Sequence, residues 1–209
     1  MLRAPWVGEE PVSRIVVGCI CESMTIHLVG PGGAGKSTIG ALLADRLEVP
    51  FVDLDRCFFE REGDISDYLQ RCGYEAYARQ NVEVYRSIAA TENAVMVLSS
   101  GFMTYPEEVH PRYVEIRAAI AESSTTFVLL PSLDLEACVA EIVRRQVRRP
   151  LGLLASREEA KIRKRFSIYM GLRALKVETM RSPDEVVLEI VDALPANAAP
   201  HQTTRDAGG

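Results

Sequence analysis

"LVGPGGAGKSTIG", residues 28–40, is the stretch whose reading decides the fold. Gly30, Gly35, Lys36 and Ser37 satisfy G-x-x-x-x-G-K-[ST], a pattern in which a glycine-rich turn aims backbone N–H groups at phosphate oxygens. Such a turn works only between a strand and a helix, because the helix N-terminus then points its own unpaired N–H groups at the same anion. Both flanks comply. "TIHLV" (25–29) is an apolar run of buried-strand length, and Ile39, Leu42, Leu43 and Leu47 recur at helical spacing after the loop. A turn that merely happens to contain glycines is the plainer alternative, and this placement speaks against it. The expected phosphate-binding residues are therefore Gly32, Gly33, Ala34, Gly35, Lys36, Ser37 and Thr38. The Lys36 ammonium would bridge the β- and γ-phosphates of a nucleotide, and the Ser37 hydroxyl would coordinate magnesium.

Working outward, strand and helix signals alternate. "VPFVDLD" (49–55) holds a second short strand, and "NAVMVL" (93–98) and "TTFVLL" (125–130) are continuous apolar runs, each preceded by a helical segment. A fifth strand is expected at "ALKVET" (174–179). The last helix opens at "SPDE" (182–185), where Ser182 can cap, Pro183 suits the first turn and Glu185 completes a capping box. Strands apolar on both faces and separated by helices imply a parallel sheet covered on both sides. The expectation is a three-layer α/β/α domain with a central parallel five-stranded sheet.

Two further features bear on chemistry. Read as one strand, "FVDLD" projects Asp53 and Asp55 from the same side, roughly 6.5–7 Å apart. If that strand lies beside the first, both carboxylates sit near the terminal phosphate. One would hold magnesium through water while the other accepts the proton of an attacking hydroxyl. A solvated strand end is the alternative reading. The second feature is charge: residues 141–176 carry eleven basic side chains against three glutamates, a local +8 in a chain of net −5. A nucleic-acid patch would need more aromatic interleaving and sits poorly in an acidic protein. A cationic lid over a triphosphate fits better, with "RRPLG" (148–152) as its moving part and about 145–158 as its extent.

Composition sets the remaining bounds. With 209 residues, 47% of them hydrophobic, the chain can bury one sizeable core. No run approaches the ~20 apolar residues of a membrane helix. Five scattered cysteines and three histidines suggest neither a disulfide framework nor a zinc site, so a reduced, cytoplasmic setting is expected. "VVGC" (16–19) looks superficially like a lipoprotein cleavage site, but the apolar stretch 15–20 is shorter than the roughly 7–15 residues of a signal core. Residues 1–23 read as an irregular extension, with Met24 a candidate natural start, and 195–209 as a disordered tail, leaving one domain at 24–194.

The order of "GPGGAGKST", "FVDLD", a glycine-bearing loop after the third strand, "RRPL", and "RFSIY" followed by "ALKVET" resembles the shikimate kinase family over roughly residues 24–194. The resemblance implies a P-loop kinase fold with a mobile lid, ATP and Mg2+, and transfer of the γ-phosphate to a hydroxyl of a small hydroxy acid, shikimate first among candidates. It implies Lys36, Asp55 and Arg149 in catalysis, Ser37 and Asp53 at the metal, and Arg144 or Arg145 near adenine, of which Arg145 is taken as the nucleotide contact. Asp55, Arg79, Ser100, Gly101 and Arg165 are the expected acceptor contacts, with Arg165 gripping a carboxylate. The expected partners are the small-molecule substrate alone, with no nucleic acid and no membrane, and the protein working as a monomer.

Departures from the family pattern lie on the acceptor side. G-E-x-x-F-R-x-x-E becomes "GYEAYARQN" (73–81), placing Tyr74, Ala78 and Asn81 where the pattern has glutamate, arginine and glutamate, and G-G-G becomes "SSG" (99–101). Arg79 adjoins the missing arginine, but one helical step turns a side chain by roughly 100°. A kinase for another polyol or hydroxy acid, and a non-catalytic nucleotide or metabolite sensor with the same fold, are the other readings. The sensor is disfavoured because a sensor needs no metal–base pair.

Overall fold

The computed structural model describes residues 24–91, 93–148 and 154–195. β1 (Ile26–Val29) feeds the glycine loop and α1 (Lys36–Leu47). β2 (Phe51–Asp53) leads into α2 (Leu54–Glu62) and α3 (Ile65–Ile88), the latter broken at Gly73, where φ is 83° and ψ 169°. β3 (Val95–Val97) is followed by two 3-10 turns and α4 (Tyr113–Glu122); β4 (Thr126–Leu130), α5 (Leu135–Val147), α6 (Ala155–Gly171), β5 (Leu175–Glu178) and α7 (Pro183–Ala193) complete the order. Ser182 and Glu185 form the expected capping box on α7.

All strands are parallel, in the order β2-β3-β1-β4-β5. Side-chain alternation divides the interior in two. Ile26, Leu28, Val95, Val97, Phe127 and Leu129 face α1 and α7 through Ile39, Leu43, Val187 and Ile190. Val29, Met96, Leu98, Val128 and Leu130 face the opposite layer through Phe58, Tyr85, Tyr113, Ile142 and Tyr169. The result is the expected three-layer α/β/α arrangement. At Gly40 an added Cβ would stand 2.6 Å from Val97 and 2.9 Å from Phe51, so α1 lies directly on the sheet.

Two expectations are corrected. β2 does not lie beside β1, because β3 separates them. The reason is burial: Val95, Met96 and Val97 are buried on both faces and suit the interior of the sheet, whereas Phe51 is exposed and Val52 and Asp53 are half-buried, as an edge allows. Asp53 still reaches the site, since its register runs through Val97 to Leu28. Second, Asp55 is not on a strand. The chain turns into α2 after Asp53, whose Oδ1 accepts from the backbone N–H groups of Asp55 at 3.0 Å and Arg56 at 3.4 Å, so Asp53 caps the helix that carries Asp55.

Within the expected lid, residues 145–147 end α5 and 155–158 begin α6, while Arg149 and the rest of 149–153 lie outside the described residues. So do the extension at 1–23 and the tail from 196. Among the described residues no helix is long and apolar enough to cross a membrane.

Candidate functional site

Where β1 ends, Gly30 adopts φ 145° and passes so close to β4 that a Cβ would lie 2.3 Å from the Leu129 carbonyl oxygen; no side chain fits there. Gly35 is the N-cap of α1 and has no side chain to offer the N–H groups of that helix N-terminus. The Lys36 side chain is buried and folds back along the loop, its Nζ donating to the carbonyls of Gly30 at 2.8 Å and Pro31 at 3.0 Å. Contacts from distant elements brace this loop. Arg145 donates to the Gly33 carbonyl at 3.1 Å and the Thr179 carbonyl at 3.2 Å, and the Thr179 hydroxyl donates to the Ala34 carbonyl at 2.9 Å. Gln146 packs over Gly32 so tightly that a Cβ there would meet its Nε2 at 2.5 Å. Arg145 is itself oriented by Glu141 at 2.6 Å. Hydrogen bonds from Arg144 and Arg145 hold the Glu141 carboxyl down at about 2. Sequence reasoning expected Arg145 near the nucleotide base; the structure engages its N–H groups on loop carbonyls.

At the mouth of the loop the Ser37 hydroxyl donates to Asp53 Oδ2 at 2.8 Å, with both groups open to solvent. Asp55 lies in the same cleft, and its Oδ1 accepts from the Ser99 hydroxyl at 2.5 Å. Its carboxyl lines an open groove yet is crowded by protein atoms. That desolvation raises its pKa, while the Ser99 hydrogen bond and the Lys36 charge pull it down and the Asp53 charge pushes it up. Ser99 was not singled out from the sequence as a site residue, although it is one of the two hydroxyls that replace glycines.

Residues of α3, the loop after β3, and α6 meet beside this cleft. Arg165 donates to the Ser100 carbonyl at 3.4 Å and to the Tyr74 hydroxyl at 3.1 Å, and Tyr169, one helical turn on, donates to the same carbonyl at 2.5 Å. Gly101 leaves space for this meeting, since a Cβ would lie 3.0 Å from the Tyr74 hydroxyl and 3.2 Å from an Arg165 nitrogen. Arg79 is not brought to this group. It is exposed on α3, while Tyr77, Ala78 and Asn81 are the buried residues of that turn, as the helical period requires. Tyr74 is the functional candidate that sequence reasoning missed; it is 91 residues from Arg165.

Gly32, Gly33, Gly35, Lys36, Ser37, Thr38, Asp55, Ser100 and Gln146 line one cleft of about 160 Å3. A larger hollow of about 450 Å3 is lined by Leu133, Lys176, Glu178, Met180 and Glu189, but it holds none of the glycine-loop residues. The glycine loop and Asp55 make the smaller cleft the candidate site.

Comparison with known proteins bears on the family and the fold. The sequence model described as shikimate kinase matches residues 32–195. The chain belongs to the shikimate kinase family. The shikimate kinase of Aquifex aeolicus is 30% identical over 177 residues, covering 84% of this chain and 98% of that one. That of Mycobacterium tuberculosis is 33% identical over 175 residues, with 80% and 91% covered. The crystal structure of the Aquifex aeolicus shikimate kinase superposes with a TM-score of 0.61 at 29% identity, over 84% of this chain and 98% of that chain. The Acinetobacter baumannii shikimate kinase, solved in complex with shikimate, gives 0.66 at 22% identity over 82% and 92%, which speaks for the fold alone. Membership of the shikimate kinase family makes this chain an ATP-dependent kinase.

Proposed function

We propose that the chain transfers the γ-phosphate of ATP to a hydroxyl of shikimate. The observation that carries this reading is the single cleft in which the glycine loop, Lys36 and Asp55 meet. In it the loop N–H groups and the N-terminus of α1 bind the phosphates, and Lys36 exchanges the Gly30 and Pro31 carbonyls for β- and γ-phosphate oxygens. The Ser37 hydroxyl and Asp53 carboxylate, already 2.8 Å apart, are a hard-oxygen pair of the kind Mg2+ takes alongside waters and phosphates. Bound there, Mg2+ supplies charge that offsets the negative oxygens of the nucleotide. Arg145 keeps its N–H groups on the loop and leaves its flat face for the nucleotide base. Arg149, from the R-P-L motif, adds a cation at the transferring phosphate.

Asp55 accepts the proton of the acceptor hydroxyl as its oxygen bonds to the γ-phosphorus and the bond to the β,γ-bridging oxygen breaks, leaving ADP with the electron pair. Arg165 grips the acceptor carboxylate beside Tyr74 and Gly101. The reading treats 24–194 as the catalytic unit, working as a monomer. A panel of hydroxy acids and cyclitols offered with ATP and Mg2+, with ADP release as the readout, tests it. Shikimate is expected to give the highest kcat/KM. Highest turnover of another member would assign the acceptor elsewhere, and no ADP from any of them would leave the sensor reading.

A further inference from the structure

Behind Asp55 a set of polar groups crosses the interior between α3 and the loop after β3. Asn81, fully buried, donates through Nδ2 to the Tyr105 hydroxyl at 2.8 Å. The Tyr77 phenol lies near the hydroxyls of Tyr105 and Ser99, and Ser99 donates to Asp55 Oδ1 at 2.5 Å. Tyr77, Tyr105 and Ser99 are buried as well. The two ends fix where the protons lie. An ionised carboxylate only accepts, which commits the Ser99 proton to Asp55. An amide nitrogen only donates, which makes Tyr105 an acceptor on that side. Asn81 also carries a buried Oδ1 with no hydrogen-bond partner, a penalty that its Nδ2 contact must offset.

We propose that Ser99 is a positioning residue for phosphoryl transfer. It pins Oδ1 of Asp55, leaving Oδ2 for the acceptor hydroxyl. This rests on the reading of Asp55 as proton acceptor. A glycine at residue 99, as in the family pattern, has no hydroxyl to do this, so the device belongs to this chain's "SSG" sequence. Positioning acts on the chemical step and not on substrate binding, which separates it from a structural role.

The test is steady-state kinetics of the full chain with ATP, Mg2+ and shikimate. Ser99→Ala is expected to lower kcat by about 10-fold or more, as expected for losing a hydrogen bond to a charged group. Both KM values should stay within about twofold, since neither substrate touches Ser99 in this account. Ser99→Thr keeps a hydroxyl and should recover most of kcat. Ser99→Gly, the residue of the family pattern, should lower kcat as Ser99→Ala does, and it decides the matter if Ser99→Ala is poorly folded. Ser99→Ala added to Asp55→Asn should slow the enzyme no further. Unchanged kcat in Ser99→Ala, a loss confined to KM, or full additivity with Asp55→Asn would overturn the proposal alone. Undiminished kcat in Asp55→Asn, or a wild type inactive on shikimate, would remove the functional reading and the proposal together.

Discussion

Arg165→Ala gives the sharpest test of the acceptor site, because two neighbouring arginines on α6 have opposite environments. Arg163 is held in ion pairs by Glu136 at 2.6 Å and Glu159 at 3.0 Å, so its charge is already compensated. Arg165 donates only to the Ser100 carbonyl and the Tyr74 phenol, and among the described residues no carboxylate is paired with it. Its cation is therefore available to an anionic acceptor. A hydrogen bond to a charged group contributes about 1.5–3 kcal/mol, or about 10- to 150-fold in kcat/KM. Ala78 supplies no second cation from α3, and Arg79 is exposed on another side of that helix, which places the expected loss toward the upper end. The assay is kcat/KM for shikimate by coupled ADP release, with the KM for ATP as internal control. Arg163→Ala should change kcat/KM by less than about twofold, as surface ion pairs contribute little. An Arg165→Ala enzyme within about twofold of wild type on shikimate would refute the assignment of Arg165 as the carboxylate anchor.

Lys36→Ala should lower kcat by about 100-fold or more in the same assay, since one preorganised cation at the transferring phosphate is lost; a near-normal rate would show that its contacts with the Gly30 and Pro31 carbonyls are its whole role. Gly40→Ala should destabilise the fold by about 1–3 kcal/mol through overpacking against Val97 and Phe51, read as a fall in Tm of about 3–10 °C, and an unchanged Tm would mean that α1 can lift off the sheet freely. Burial lowers the His27 pKa to about 4, so the unfolded chain binds a proton there that the folded chain refuses. That contribution to stability is complete above the ordinary value of 6.5 and is lost as pH falls through the interval down to about 4. His27→Gln should therefore flatten the stability curve over that interval by at most about 3 kcal/mol in chemical denaturation, and parallel curves would refute a neutral buried imidazole.

The sheet was legible because its inner strands are apolar on both faces and the glycine loop can only join a strand to a helix. All five strands lie where the apolar runs put them. Strand order was not legible, since no residue of β2 states which neighbour it will pair with; only the exposure of Phe51 marks it as an edge, and exposure is not visible in sequence. "FVDLD" misled because an alternating pattern continues through Asp55, although an aspartate immediately before a helix is also a capping signal, and Asp53 acts as one. Lys36, Ser37 and Asp55, picked out from local motifs, line one cleft. Contacts that join distant segments were not legible: Ser99 is 44 residues from Asp55, and Tyr74 is 91 from Arg165. Arg79 is exposed where Ala78 is buried, as the roughly 100° step between adjacent helical residues requires.

The central claim is that one cleft moves phosphate from ATP to a shikimate hydroxyl with Asp55 as the proton acceptor. 31P NMR of the full chain incubated with ATP, Mg2+ and shikimate tests it most directly. The account predicts a new phosphate monoester resonance growing in step with ADP, and its loss in Asp55→Asn. ADP accompanied only by inorganic phosphate, an unreacted nucleotide, or an undiminished monoester signal in Asp55→Asn would contradict it.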